Sequence, residues 1–170
     1  TNAQSRAIEE ALRKRNLPYK VFGGTSFFQR KEIKDLVAYL RILVNPNDEE
    51  ALLRIINYPK RGIGQTTINK LMIVASETEK PIFEILENIH QYAAQAGLNA
   101  ATVYKLNEFT IMIKSFMTML NDHDVYEVSM HVAKTAQLIK TLKEDDTPEG
   151  ISRLENVQEL LNSIKGYVEE

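Results

Sequence analysis

Apolar residues recur at the spacing of an α-helix over most of the chain. The clearest stripe lies in residues 31–44 and consists of Ile33, Leu36, Val37, Leu40, Leu43 and Val44. Residues at this spacing share one face of a helix. Similar stripes occur in the segments 49–57, 66–76, 82–89, 100–120, 125–142 and 151–164. From residue 25 onward the sequence therefore predicts an all-α fold, an irregular multi-helix bundle of six to eight helices.

The first 24 residues follow a different pattern. Thr1 or Asn2 is suited to cap a helix, and residues 19–22 alternate as a short strand does before Gly23-Gly24. Because one strand cannot form a sheet, its partners must lie in another chain or in sequence absent from this one. The chain also begins without Met, inside what the pattern predicts to be a helix cap. We therefore expect an excised piece of a longer protein.

Polar residues and glycines predict where several helices begin and end. Asn47 or Asp48 is expected to cap the helix at 49–57, and residues 121–124 are expected to form a turn and a cap. The weakly patterned segment 93–99 is expected to be a loop or a frayed helix end, and 143–150 a charged loop.

The most informative turn is the stretch Tyr58-Pro59-Lys60-Arg61-Gly62-Ile63-Gly64-Gln65-Thr66-Thr67. Pro59 is expected to end the preceding helix. Gly62 and Gly64 are free to take a positive φ and leave room for a close approach. Thr66 or Thr67 is expected to cap the next helix. Main-chain N–H groups at such a turn, the positive end of the next helix and two adjacent cations predict a phosphate site. The alternative is a plain turn of an αα-hairpin, whose glycines only let two helices pack.

Composition narrows the class of protein. The 170 residues suffice for one domain with a core, and there is no Cys to form a disulfide, a thiolate nucleophile or a cysteine-based zinc site. No apolar run approaches the ~20 residues that span a membrane, and no signal segment opens the chain. We expect a cytoplasmic location. The net charge of −2 gives no global basic field, so any contact with nucleic acid must be local.

The sequence contains no recognisable set of catalytic residues. The spacing of the three histidines does not suit a metal site, and the phosphate loop of nucleotide hydrolases does not occur. Asp145, Asp146 and Glu149 are expected to lie in a solvated loop rather than to bind a metal. The basic residues of 30–41 are expected to form the solvent-exposed face of a helix. Phe27 and Phe28 are expected to pack in the core rather than to stack on bases.

Four blocks of the sequence point to one family. They are Thr1-Asn2-Ala3-Gln4-Ser5-Arg6, Gly23-Gly24-x-x-Phe27-Phe28-x-Arg30-x-Glu32-Ile33-Lys34-Asp35-x-x-Ala38-Tyr39-Leu40-Arg41, Arg54-x-x-Asn57-x-Pro59-x-Arg61-Gly62-Ile63-Gly64 and Ser152-Arg153-Leu154-Glu155-Asn156-x-x-Glu159-Leu160. In order and spacing these blocks closely resemble the UvrD/Rep-like DNA helicases of superfamily 1. The segment 77–146 matches that family only in helical character.

The resemblance implies a division of the chain. Residues 1–24 resemble the tail of the second RecA-like motor domain, and residues 25–170 resemble the helical accessory subdomain called 2B. The parent would be an ATP-dependent 3′→5′ DNA helicase that uses ATP and Mg²⁺ in motor domains absent here. This piece would have no cofactor of its own and would not hydrolyse ATP. Its partners would be duplex DNA and the remaining motor domains.

The resemblance also implies site residues. The Gly-Ile-Gly turn of the family touches the duplex backbone, which implies DNA contacts by Arg61, Gly62, Ile63 and Gly64, with Lys60 and Thr66 as neighbours. Asn2 and Arg6 would lie near the single-strand track. A second hypothesis is a protein-interaction or autoinhibitory module with little DNA binding of its own, which the net charge of −2 favours.

Overall fold

The computed structural model describes residues 25–169, and in this part of the chain all regular structure is helical. The helices are the 3₁₀ helix η1 Thr25–Gln29 and the α-helices α1 Lys31–Val44, α2 Glu49–Ile55, α3 Gln65–Thr78, α4 Ile82–Glu87, α5 Ile89–Ala96, α6 Ala100–Met119, α7 Val125–Thr135, α8 Leu138–Lys143 and α9 Pro148–Glu169. The predicted all-α bundle is confirmed. The helix and strand predicted in residues 1–24 lie outside the described residues, and the division at residue 25 stays a prediction.

Helix α1 lies at the centre of the bundle. Its apolar face is fully buried at Ile33, Leu36 and Leu40, and the helix packs against η1, α2, α6, α7 and α9. The remaining helices form two groups. One consists of α3 to α6 and the other of α7 to α9, and the two groups also meet directly where α6 packs on α7. The turn before α3 therefore lies on the side of the molecule built from α3 to α6.

Nine α-helices in residues 25–169 exceed the predicted six to eight. The segment 125–142 forms two helices rather than one, because Gln137 adopts a left-handed conformation with φ of 71°. Of the two alternatives predicted for the segment 93–99, the helix end is correct, since α5 continues to Ala96 and ends at Gly97 with φ of 68°. The spacing of apolar residues alone predicts neither the break at Gln137 nor the extension of α5 to Ala96.

The predicted caps at two helices are confirmed. Asp48 caps α2 by accepting a hydrogen bond from the Ala51 amide, and Asp124 caps α7 in a reciprocal pair with Glu127. The segment 143–150 is shorter as a loop than predicted, because α9 begins at Pro148. Proline suits the first position of a helix, where its missing N–H would have no partner.

Several polar residues of the blocks that carry the family resemblance join helices to one another. Arg54 Nε of α2 donates to Asp35 Oδ1 of α1 at 2.8 Å. Asn156 Nδ2 of α9 donates to Glu32 Oε2 of α1, also at 2.8 Å. Asp35 and Glu32 are only 3% and 6% exposed, so these bonds tie α2 and α9 to the buried side of α1.

No helix within residues 25–169 combines the length and the apolar character needed to cross a membrane.

Candidate nucleic-acid interface

The turn between α2 and α3 is held by the side chain of Asn57. Its Oδ1 atom accepts hydrogen bonds from the Arg61 amide at 2.8 Å and from the Ile63 amide at 3.0 Å. The amide of Gly62, between these two, has no hydrogen-bond partner among residues 25–169. The Asn57 side chain therefore binds the main-chain N–H groups of Arg61 and Ile63 and leaves the N–H group of Gly62 available.

The residues Gly62, Ile63 and Gly64 have three different roles. The Ile63 side chain is completely buried and anchors the turn in the core. Gly62 has a φ of +77°, a left-handed conformation that favours glycine. Gly64 has a φ of −82° and a ψ of 175°, values open to any residue, and a Cβ added there would meet nothing within 4 Å. Gly64 thus leaves open space beside the main chain without being required by the backbone conformation.

Arg61 points into the protein. Its Nη1 atom donates to the carbonyl oxygens of Ile55 at 2.7 Å and Tyr58 at 3.1 Å, and its Nη2 atom donates to the Tyr39 hydroxyl. The guanidinium carbon also lies 5.1 Å from the centre of the Phe109 ring. These contacts give Arg61 the role of satisfying carbonyls at the end of α2, which is a structural role.

The Tyr39 hydroxyl completes this arrangement. It donates to the Tyr58 carbonyl at 2.5 Å while it accepts from Arg61. Burial raises the pKa of Tyr39 above its ordinary value of 10.0, although Arg61 acts in the opposite direction. The hydroxyl therefore keeps its proton and remains a donor at neutral pH. The peptide bond between Tyr58 and Pro59 is cis.

The N-terminus of α3 has no side-chain cap. Gly64 occupies the cap position, so the prediction that Thr66 or Thr67 caps this helix was wrong. Helix α3 starts one residue earlier than predicted, which places both threonines inside its first turn, where a hydroxyl cannot act as a cap. The amides of Gln65, Thr66 and Thr67 have no acceptor within the described part of the chain. They add to the free amides of Gly62 and Gly64.

Two lysines stand beside these amides. Lys60 is exposed. Lys105 of α6 places its Nζ atom 3.0 Å from the position that a Cβ on Gly62 would take. Neither lysine forms an ion pair with a residue in 25–169. The site thus combines five free amides with two uncompensated cations.

Two stretches of sequence near the site contain no carboxylate, and the first acid after the second stretch is Glu108 of α6. Residues 51–76 contain Arg54, Lys60, Arg61 and Lys70 and neither Asp nor Glu, and residues 88–107 contain Lys105 and again no acid. A locally positive region therefore exists in a chain whose net charge is −2. This uneven distribution of charge is a sequence signal for the site. It is recognised as one only because the structure places Lys105 of α6 beside the turn.

Asp145 is held by residues close to it in the sequence. Asp145 Oδ1 accepts from the Thr147 hydroxyl at 2.6 Å and from the Thr147 amide at 3.1 Å, and Asp145 Oδ2 lies 3.3 Å from Arg153. These contacts lower the pKa of Asp145 below its ordinary value of 3.8. Among residues 25–169 no group of three potential metal ligands comes together.

The structure separates the predicted DNA-contacting residues into three sets. Lys60, Gly62, Gly64 and Thr66 lie on the exposed side of the turn. Arg61 and Ile63 have side chains and amides that are engaged within the protein. Asn2 and Arg6 lie outside the described residues. The sequence interpretation assigned no role to Asn57 or Lys105. Asn57 had a local signal, an Asn beside a glycine turn, whereas Lys105 is far away in the sequence.

Comparisons with known proteins identify the family. Residues 1–170 match the family described as "UvrD-like helicase C-terminal domain". The ATP-dependent DNA helicase PcrA of Bacillus subtilis (strain 168) is 36% identical over 167 residues, which cover 98% of this chain and 22% of the relative. PcrA of Staphylococcus aureus (strain Mu50) is 37% identical over 169 residues, which cover 99% of this chain and 23% of the relative. The chain thus spans less than a quarter of the length of these curated relatives.

Proposed function

The chain belongs to the family of UvrD-like helicase C-terminal domains, and from this premise we propose that it is part of an ATP-dependent 3′→5′ DNA helicase. In this proposal the turn at residues 58–67 contacts the sugar-phosphate backbone of duplex DNA, and the helical part regulates unwinding. ATP and Mg²⁺ act in motor domains that lie elsewhere in the parent protein. Those domains and duplex DNA are the proposed partners.

One observation carries the proposal. The amides of Gly62, Gly64, Gln65, Thr66 and Thr67 lack acceptors within residues 25–169, next to Lys60 and Lys105. Main-chain amides at the start of a helix bind anions through hydrogen bonds and through the positive end of the helix dipole. A plain helical hairpin does not need this arrangement, because a Ser, Thr, Asn or Asp at position 64 would cap α3 without an external ligand.

The same arrangement predicts binding without sequence preference. Amides and lysine ammonium groups contact phosphates, which are the same at every base pair. The Arg61 guanidinium is directed into the protein and is not free to read base edges, and the exposed Gln65 amide donates to Asn69 Oδ1. Because only a few phosphates are neutralised, we expect weak affinity that falls as salt is added.

The test is a fluorescence-anisotropy titration of a labelled hairpin duplex with the 170-residue chain. We expect saturable binding at about 50 mM salt, loss of most of it at about 200 mM, and equal affinity for two duplexes of unrelated sequence. Absence of binding at high micromolar protein and low salt contradicts the proposal. A strong preference for one sequence contradicts the phosphate-only mechanism.

A second function is supported by exposed apolar side chains. Helices α3 and α6 carry Ile73 at 57%, Tyr104 at 65% and Ile111 at 54% exposure. Large apolar residues left in solvent mark protein contacts when they are grouped. We keep the alternative that this part acts mainly as a protein-interaction or autoinhibitory module that docks on the motor domains.

The two functions predict different effects of introducing a charge at the exposed residues Ile73 and Ile111 on duplex binding and on unwinding. Ile73→Glu and Ile111→Glu leave duplex binding unchanged if the turn alone holds the DNA. In the parent helicase the same variants raise or lower unwinding if the surface docks on the motor domains. Unchanged unwinding together with intact duplex binding eliminates the docking alternative for this surface.

A further inference from the structure

Lys105 lies where helix α6 meets the turn. Its Nζ, Cε and Cδ atoms come within 3.0, 3.4 and 3.5 Å of the position that a Cβ on Gly62 would occupy. The end of this side chain therefore packs over the outer face of the turn, in the space that the missing Gly62 side chain leaves. Lys105 is exposed at the same time.

The ammonium of Lys105 has no compensating group in the described part of the chain. Lys114, on the same helix, pairs with Glu87 at 2.7 Å, and Lys80 pairs with Glu84 at 3.2 Å. Lys70, on α3, donates to the Gly97 carbonyl at 3.1 Å. The nearest carboxylate on α6 is Glu108, which forms no ion pair with Lys105.

The Lys105 ammonium lies close to a turn that contains other positive groups. The start of α3 has the positive end of a helix dipole with its first amides unpaired, and cations near that end are disfavoured. Lys60, which is exposed and lies two residues before Gly62, adds a second positive charge to the same turn. An anion placed between them relieves the repulsion, so the arrangement suits a bound anion better than it suits an empty turn.

We propose that Lys105 is a second ligand for the duplex backbone, supplied by α6 to the phosphates that the turn contacts. The proposal rests on the proposed function, since it concerns the same DNA surface. It extends that surface from a local turn to two elements, α3 with its preceding turn and α6. The polyanion then bridges both elements, and the lysine neutralises one phosphate.

The experiment compares Lys105→Met, which keeps the apolar stem, with Lys105→Arg, which keeps the charge. Lys140→Met is the matched control, because Lys140 is an exposed lysine on α8, which packs on α7 and α9 rather than on α3 or α6. Anisotropy titrations of a hairpin duplex over a series of salt concentrations give the affinity and its salt slope for each variant.

We expect Lys105→Met to weaken binding roughly tenfold at low salt and to reduce the slope of log K against log salt by about 0.9. Lys105→Arg retains the wild-type slope, and Lys140→Met leaves both quantities unchanged. The thermal midpoint of Lys105→Met does not fall, because a repelled cation has been removed. A purely structural lysine would instead lower the midpoint and leave the slope intact.

The outcomes separate this inference from the function on which it rests. Wild-type binding that is lost in Gly64→Ser but kept in Lys105→Met, with an unchanged slope, overturns the role of Lys105 and leaves the turn as the contact. Absence of duplex binding by the wild-type chain overturns both. Loss of affinity equally in Lys105→Met and Lys140→Met shows only a general charge effect and overturns the specific contact.

Discussion

Lys60 and Arg61 are neighbours in the chain, but their charged groups lie in different environments. Arg61 donates to the Ile55 and Tyr58 carbonyls and to the Tyr39 hydroxyl, whereas Lys60 is exposed. Hydrogen bonds from a charged group to partly buried acceptors contribute more than surface charges do. At the residue scale, one cation of the pair stabilises the fold and the other remains available for a ligand.

Replacement of Arg61 therefore tests the structural role. We expect Arg61→Met to lower the free energy of unfolding by about 2 kcal/mol, because three acceptors lose a charged donor. Lys60→Met, the control, changes it by less than about 0.5 kcal/mol. Urea unfolding measures both values. Equal, small effects of the two variants would show that the inward contacts of Arg61 contribute nothing to stability.

The sequence predicted the turn but not the roles of its residues. Gly62 and Gly64 are equivalent in the pattern Gly-x-Gly, yet only Gly62 has a positive φ and only Gly64 has open space around its Cα. The direction of the Arg61 side chain depends on Tyr39 and Phe109, which other helices supply. Such roles follow from tertiary contacts and have no signal in local spacing.

At the scale of a helix, α3 begins without a side-chain cap, as α1, α4, α5 and α8 also do. Helices α2, α6 and α7 begin with Asp48, Asn99 and Asp124, whose side chains accept from first-turn amides. Helix α3 begins at Gly64 and has no such acceptor. If this start serves a ligand, a side-chain cap should stabilise the helix and impair binding together.

Gly64→Ser tests this expectation. The φ and ψ of Gly64 suit any residue, and a Cβ meets no atom within 4 Å. A serine there caps α3 and restricts the unfolded chain, so we expect stability to rise by roughly 0.5 kcal/mol. Duplex affinity falls at the same time, because the hydroxyl occupies a first-turn amide and the side chain blocks close approach.

The control for Gly64→Ser is Gly166→Ser in α9, where an added Cβ also meets nothing within 4 Å. Its duplex affinity stays at the wild-type value. Thermal unfolding and anisotropy measured on the same samples give both quantities. A Gly64→Ser chain that is more stable and binds duplex as well as wild type would refute the role of the α3 amides.

Asp145, in the loop before α9, and Asp35, on the buried face of α1, have pKa shifts in opposite directions. The Thr147 hydroxyl and amide, with Arg153, lower the pKa of Asp145 below 3.8. Burial raises the pKa of Asp35 above 3.8, and Lys31 and Arg54 offset only part of that effect. Among residues 25–169, Asp35 Oδ2 is buried without a hydrogen bond and has only the Lys31 ammonium as an ion-pair partner, at 3.6 Å, which agrees with a charged form disfavoured by burial.

These shifts predict opposite effects of pH on stability. The stabilisation from Asp145 is present above pH 3.8 and is lost as the pH falls through its lower folded-state pKa. The contribution of Asp35 has the opposite sign, since the fold favours its protonated form and loses stability as the pH rises from 3.8 through the higher folded-state pKa. Carbon NMR of the carboxyl groups measures both pKa values. Asp145→Asn removes the part of the acid-induced loss of stability that comes from Asp145. Two pKa values equal to 3.8 would contradict the contacts described.

At the scale of the molecule, charge and apolar surface are segregated. Residues 51–76 and 88–107 together contain five Lys or Arg and no carboxylate, although the whole chain has 21 Lys and Arg against 23 Asp and Glu. The exposed Ile73, Tyr104 and Ile111 lie on the same two helices, α3 and α6. Helices α3 and α6 thus contain exposed apolar side chains together with the Lys residues nearest the turn.

The overall architecture was largely predictable, and the site was only partly so. Helical stripes and the caps at Asp48 and Asp124 are local features, so the bundle followed from the sequence, whereas the break at Gln137 and the start of α9 at Pro148 did not. The approach of Lys105 to Gly62 and the grouping of Asn57 with alternate amides arise from packing between helices. The net charge of −2 gave no indication of the positive stretches 51–76 and 88–107, because it sums over the whole chain.

The most direct test of the central claim is an amide NMR titration of the 170-residue chain with an unlabelled duplex at low salt. We predict the largest shifts at the amides of Gly62, Gly64, Gln65 and Thr66, and small shifts at Arg61 and Ile63, whose amides Asn57 already holds. Duplex binding that leaves the Gly62 and Gly64 amides unmoved, with shifts elsewhere in the bundle, would contradict the account.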